Sequence, residues 1–339
     1  MKFGPVPVEE AVGAIAAHSV RSGEAVVRKG STLREEDARR LRAAGIDSVV
    51  AVRLDPGDVG EDAAALRLAE ALAGEHAAVE RPFTGRSNLF ATRAGILMVD
   101  RAVIDGVNAV DEAITAATLP AYKPVVEGEM IGTVKIIPYA VAGALLDRAL
   151  AAAGPGGIRV APYALSRVGV ISTLMPGLKA SVVDKTLAVL GRRLEPAGAA
   201  VTDEARVAHD ASALARAIAA QAAGGNDLIV VFGASAIADR RDVIPAALEA
   251  AGGTVEHFGM PVDPGNLLLV GSIGGKPVIG APGCARSPKE NGFDWVLQRL
   301  LAGVPVTRAD IAGLGVGGLL MEIVSRPQPR AGGTSAEEE

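Results

Sequence analysis

At 339 residues the chain is too long for one ordinary core, and a hydrophobic content of 49% is enough to fill two or three. A net charge of −5 with only 3% aromatic residues excludes nucleic acid as a natural partner, because there is neither a basic excess nor a stacking platform. Four histidines and one cysteine, Cys284, exclude a disulfide framework and a cysteine-rich metal site. No basic-then-apolar leader opens the chain and no apolar run reaches membrane-spanning length, so a soluble cytoplasmic protein is expected.

In chain order, residues 20–28 predict a short hairpin. Thr32 and Glu35 are spaced as a capping box for a helix that Gly45 ends. Residues 48–54 alternate as a strand, and Asp58 with Glu61 caps a second helix running to Gly74. Residues 79–83, 96–99 and 131–137 read as strands, 110–118 as a helix, and 138–153 as an alanine-rich helix. Pro155-Gly156-Gly157 is the best linker. This first region, 1–155, is expected to be mixed α+β, in one or two small subdomains.

From about residue 160 the pattern becomes regular. Strands are expected at 167–172, 199–207, 228–232, 255–258, 267–270 and 277–279. Helices are expected at 178–194, 210–223 with Asp210 as cap, 243–251 and 290–301. That alternation implies βαβ units and a three-layer, mostly parallel α/β domain over 160–305. Residues 306–339 form an extension whose end, RPQPRAGGTSAEEE, is polar and acidic and is expected to be disordered.

The segment DLIVVFGASAIADRRDVIPAALEA carries most of the chemistry. Leu228–Phe232 is wholly apolar, as a strand buried on both faces must be. Gly233-Ala234-Ser235-Ala236 is a loop of small residues that lets backbone N–H groups approach a ligand. Asp239, Arg240, Arg241 and Asp242 then lead into a helix with Pro245 in its first turn. Arginine clamps phosphate and aspartate holds Mg²⁺, so Asp239 and Asp242 are candidate catalytic carboxylates and Asp242 a candidate Mg²⁺ ligand. Both also suit the cap and first turn of the helix. Pro282, Gly283, Cys284, Arg286, Ser287 and Lys289 have the composition of an anion-binding loop. Asp263-Pro264-Gly265-Asn266 reads equally as a β-turn and as a ligand loop in which Asp263 meets a donor-rich ring. His18, His76 and His209 are scattered and form no metal pattern in sequence.

The second half resembles the molybdopterin-binding domain shared by molybdopterin adenylyltransferase, molybdopterin molybdotransferase and the competence/damage-inducible protein. RVGVISTLMPG stands at that family's first strand and Thr-Gly loop, KASVVDKTLAVLGRRLEPAG at its next helix, and VVFGASAIADRRDVIPAAL at its glycine loop and Asp-x-Thr-Pro. HFGMPVDPGNLLLVGSIGGKPVIGAPGCARSP stands at its closing Pro-Gly-Asn-Pro segment. Ala234 replaces the family's second loop glycine, and Cys284 replaces the Asn after Pro-Gly. The first half is loosely similar to the segment leading into the molybdotransferase binding domain. The chain as a whole is similar to alphaproteobacterial proteins in which this region precedes a nucleotidyltransferase-like domain.

What the resemblance implies is a role in molybdenum cofactor biosynthesis, with molybdopterin or its adenylylated form as ligand. Thr173, Asp184, Gly233, Ser235, Arg241, Asp263, Gly265, Pro282, Gly283, Ser287 and Lys289 would bind it. A transferase would use ATP or molybdate with Mg²⁺. The alternative is a non-catalytic carrier that presents molybdopterin to a nucleotidyltransferase or an apo-molybdoenzyme, and a weaker one is a nucleotide pyrophosphatase. A homo-oligomer is expected.

Overall fold

The computed structural model describes residues 1–22 and 25–320; the tail RPQPRAGGTSAEEE lies outside the described residues. The chain divides into two units, Met1–Pro162 and Tyr163–Glu339.

The first unit contains two hydrophobic cores. One lies under the antiparallel strands Lys2–Pro7, Ser48–Arg53 and Ile15–Ala16. It packs Val8, Leu33, Leu41, Val49 and Ala51. The helix Glu35–Ala43 supplies Leu41. The hairpin pairs Val20–Ser22 with Ala25–Val27. The other core gathers Leu68, Leu72, Leu89, Leu97, Ile131, Ile136 and Leu146. It draws on the helices Glu61–Leu72, Arg101–Asn108 and Gly143–Ala153 and on a four-stranded antiparallel sheet ordered Ile114–Thr118, Met130–Ile136, Arg86–Ala91, Ala77–Val79.

Five local expectations need correction here. Residues 110–118 are not a helix: Asp100 caps Arg101–Asn108 upstream, accepting from the amides of Ala102 and Val103 at 3.0 and 3.3 Å, and Ile114–Thr118 becomes a strand. The first helix is closed by Asp37, which accepts from the Arg34 amide at 3.0 Å, and not by Thr32 with Glu35. Asp58 sits in a short strand, Asp58–Gly60, paired with Ala140–Ala142, and Gly60 precedes the second helix. That pairing also delays the next helix to Gly143. Pro155-Gly156-Gly157 lies inside the first unit, because Ile158–Pro162 pairs antiparallel with Gly95–Val99.

The second unit is built on a six-stranded sheet ordered Ala200–Ala208, Arg167–Leu174, Leu228–Phe232, Lys276–Ala281, Leu269–Ile273, Thr254–Phe258. The first four strands are parallel, Leu269–Ile273 runs antiparallel to them, and Thr254–Phe258, antiparallel to Leu269–Ile273, runs in their direction again. Leu228–Phe232 is central and fully buried, as its unbroken apolar run requires. Side chains alternate between two cores. Val168, Val170, Val230 and Phe232 face the helices Ala180–Leu194 and Gly292–Leu301. Ile171, Ile229 and Val231 face Ala211–Ala223 and Val243–Ala250. The result is a three-layer α/β domain. The helices present buried stripes at helical spacing, Val183, Thr186, Leu190 and Leu194 in one case and Leu214, Ile218 and Gln221 in another. Asp210 caps the latter, accepting from the Ala213 amide at 2.9 Å. The segment after residue 305 belongs to this unit: Val306 and Ile311 enter the first of its cores. The Asp263 amide donates to Gly318 at 2.8 Å, and Leu320 donates back to Asp263 at 3.0 Å.

Candidate functional site

The strand directions bring five loops to one edge of the sheet. Leu174, Ala208, Phe232 and Ala281 are the carboxyl ends of the four parallel strands. Phe258 pairs with Leu269, and Leu269 with Gly280, so residues 259–268 turn at the same edge. Open α/β sheets bind ligands at their carboxyl ends.

The loop after Leu228–Phe232 is fixed from both of its flanks. At Gly233 a Cβ would come 2.6 Å from Ser235 O and 2.9 Å from Ile244 Cδ1, so only glycine fits. The Ala234 amide donates to Thr173 Oγ1 at 2.8 Å. Thr173 Oγ1 lies 2.8 Å from His209 Nδ1, and His209 Nε2 lies 3.1 Å from Ser235 Oγ. A hydroxyl–imidazole–hydroxyl chain therefore spans three strand ends.

The four charges that follow resolve into distinct roles. Asp242 caps Val243–Ala250: one carboxylate oxygen accepts from the Val243 amide at 2.7 Å, the other from the Ala238 amide at 3.0 Å. Asp239 accepts from the Arg241 guanidinium at 2.7 Å and from the Arg241 amide at 2.9 Å. The Arg241 hydrogen bond holds the Asp239 carboxyl below its usual range and the guanidinium above its own, although both are exposed. Arg240 is exposed; its charge and that of Arg308 add to burial in lowering the His257 imidazole.

On the opposite face of the sheet, Arg286 reaches back from the loop after Ala281. It donates to Gly233 O at 2.8 Å and to Thr186 Oγ1 at 3.0 Å, with its guanidinium carbon 5.4 Å from the Phe232 ring centroid. Burial pushes its pKa down. Arg193 holds the same loop through carbonyls, donating to Ala285 at 2.9 Å, Ser287 at 2.7 Å and Lys289 at 3.2 Å, and it pairs with Asp294. Asn291 closes the loop by donating to Cys284 O at 3.3 Å.

The expected site residues thus fall into groups. Thr173 and Ser235 are joined by hydrogen bonds through His209, and Gly233 accepts from Arg286, which also reaches Thr186. Pro282, Gly283, Ser287 and Lys289 share the loop that Arg286 and Arg193 hold, and Gly283 is exposed. Asp263 and Gly265 lie on the neighbouring turn, where the Gly292 amide donates to Pro264 O at 2.8 Å. Arg241 turns to Asp239. Asp184 points to the edge strand, accepting from Arg206 at 2.7 Å, and Arg206 also pairs with Glu204. His209 and Thr186 were missed. His209 gives no local signal, because its partners lie far away in sequence. Thr186 looks like any core position of a helix.

Among the described residues no group of three His, Cys, Asp or Glu side chains could hold a metal ion. None of the described helices is long and apolar enough to cross a membrane.

Residues 169–303 match the family described as "Probable molybdopterin binding domain". The second unit carries a domain of this family. In the first unit, residues 5–53 match a family described only as a domain of unknown function. No curated protein matches the chain. Among solved structures, a molybdopterin biosynthesis moea protein from Pyrococcus horikosii is similar at 16% identity and a TM-score of 0.30, over 89% of this chain and 75% of that one. A molybdenum cofactor biosynthesis protein B is similar at 19% identity and a TM-score of 0.31, over 41% of this chain and 95% of that one. The molybdopterin-binding domain covers the sheet, its carboxyl edge and every loop described above.

Proposed function

We propose that the molybdopterin-binding domain holds molybdopterin at the carboxyl edge of its sheet, as a step in molybdenum cofactor biosynthesis. One observation carries this reading: the carboxyl ends of three adjacent strands are tied to one another there, Ala234 to Thr173 and Arg286 to Gly233, within the segment that matches the family. Ser235, Ser287 and Lys289 would supply donors to the phosphate, and Asp263 an acceptor for the aminopyrimidine edge. If Mg²⁺ takes part, Asp242 is the residue to hold it, together with ligand phosphates, since Mg²⁺ sites commonly use one or two carboxylates and substrate oxygens.

The state of the two aspartates favours the carrier reading over either transfer reaction. Asp242 spends both oxygens on backbone amides, and Asp239 is paired with Arg241. Neither is placed as a free base. The recipient would be a nucleotidyltransferase or an apo-molybdoenzyme. Native mass spectrometry of the chain purified from cells accumulating molybdopterin tests the binding, and a ligand other than a pterin phosphate would end the reading. Turnover of ATP or molybdate with saturating pterin separates the roles: measurable turnover returns the protein to the transferases.

A further inference from the structure

We propose that Arg286 is an anion anchor of this edge, and that its ligand is a tetrahedral oxyanion, above all a phosphate monoester. The proposal rests on the molybdopterin reading only for the identity of the molecule that bears the phosphate.

The argument begins with charge. Two guanidiniums hold the loop after Ala281, and they differ in one respect. Arg193 has a carboxylate, Asp294, beside an aromatic contact to Phe293 at 5.8 Å. Arg286 has an equivalent aromatic contact to Phe232 but only neutral acceptors, the Thr186 hydroxyl and the Gly233 carbonyl. No carboxylate pairs with it among the described residues. A half-buried cation without a countercharge is unfavourable unless something supplies the charge. If Arg286 served only to tie two loops together, a neutral donor would do so without that cost.

Donor geometry points the same way. A guanidinium carries five N–H groups in a planar fork. One nitrogen is committed to Thr186 and another to Gly233. The remaining N–H groups suit the paired oxygens of a phosphate better than a lone acceptor. The two committed bonds fix the fork in place, so little freedom is lost when an anion arrives. A second observation concerns Ser172. It lies opposite Phe232 in the parallel register, on the face shared with Val168 and Val170. Its buried hydroxyl has no hydrogen-bond partner among the described residues. The polar capacity at this end of that face therefore exceeds what the described residues use.

The test titrates the full chain with inorganic phosphate at low salt by calorimetry, using wild type, R286M, R286K and R167M. Arg167 sits at the opposite, amino end of the strands. Wild type should bind, R286M should lose at least tenfold in affinity, R286K should fall between them, and R167M should match wild type. In parallel, the Arg286 Nε–H resonance, assigned by its absence from R286K, should move on adding phosphate; this readout stands even if R286M fails to fold. Absence of phosphate binding, equal affinity in R286M, an equal loss in R167M or an unmoved resonance would each overturn the proposal. Co-purified molybdopterin with no role for Arg286 would sink the anchor and spare the function. Phosphate bound through Arg286 with no pterin in any preparation would do the reverse.

Discussion

His209 Nε2 lies 3.1 Å from Ser235 Oγ while its Nδ1 lies 2.8 Å from Thr173 Oγ1, so one imidazole braces two hydroxyls that the chain separates widely. Thr173 Oγ1 already accepts the Ala234 amide. If Thr173 donates its proton to Nδ1, Nε2–H donates to Ser235, and the Ser235 hydroxyl is left to donate outward. In that tautomer the loop presents a donor, which suits an oxyanion.

His209→Ala should therefore loosen the loop more than it harms the core. Two hydrogen bonds are lost at a half-buried site, ~1–2 kcal/mol in local stability. Amide exchange at Ala234 and Ser235 should accelerate about tenfold, and phosphate affinity should fall severalfold. His209→Gln can keep one of the two bonds and should recover part of both effects. Unchanged exchange at Ala234 in His209→Ala would show that the imidazole braces nothing.

Asp242 separates capping from ligand chemistry. Its two oxygens serve two amides, those of Val243 and Ala238. Asn preserves one acceptor but turns an NH₂ towards the other amide. Asp242→Asn should cost ~1 kcal/mol and Asp242→Ala ~1–2 kcal/mol, by thermal unfolding. If Asp242 also organises Mg²⁺ and phosphate, Asp242→Asn should weaken pterin binding in Mg²⁺ at least tenfold, about 1.4 kcal/mol. Binding equal to wild type, measured well below the unfolding temperature, would leave Asp242 as a cap alone.

How much of this was legible follows the range of the interactions. Leu228–Phe232 announces a central strand by five apolar residues in a row, and Asp210 announces its helix by capping it locally. The segment 110–118 misleads because alanine and threonine fit either state, while the true helix signal, Asp100 ahead of Val103, Ile104 and Val107, lies upstream. At the edge, Ser235 and Gly233 were readable from a small-residue loop after a buried strand. The His209 brace and the Arg193 tether were not, because each joins residues from different βα units and leaves no spacing rule in the chain. The pairing of Asp239 with Arg241 was present as alternating charge, but sequence could not show that Arg241 turns back to its neighbour.

Gly265 tests the link between the turn and the anion loop. Its φ is +143°, and a Cβ there would lie 2.9 Å from both Cα and N of Gly292. Those are backbone atoms and cannot swing aside. Gly265→Ala should destabilise the second unit by ~2 kcal/mol or more, since it combines a disfavoured φ with a backbone clash. Relief by displacing Gly292 would shift the loop that ends at Asn291, so phosphate affinity should fall as well. A variant as stable as wild type, read by chemical denaturation, would refute the close approach.

Asp227 gives the pH dependence a sign. The Arg167 side chain at 2.8 Å, and then the amides of Arg167 and Ser166, hold its carboxyl down at about 2 against an ordinary 3.8. The folded pKa lies below the unfolded one, so the contribution is complete above the ordinary value and is lost as pH falls through about 2. The Arg167 partner is more than half exposed, at 57%, and solvent screens the pair, so the contribution is ~1 kcal/mol and not the larger figure the shift alone would give. Asp227→Asn should therefore be less stable than wild type by about that amount near neutral pH, and the gap should close between about pH 4 and pH 2. Taking the difference between the two proteins cancels the acid unfolding contributed by other carboxylates. Because the pair pins the entry of Arg167–Leu174 beside that of Leu228–Phe232, the same variant should leave phosphate binding at the far edge unchanged at neutral pH. A gap that persists undiminished at pH 2 would mean that Asp227 acts through packing and not through its charge.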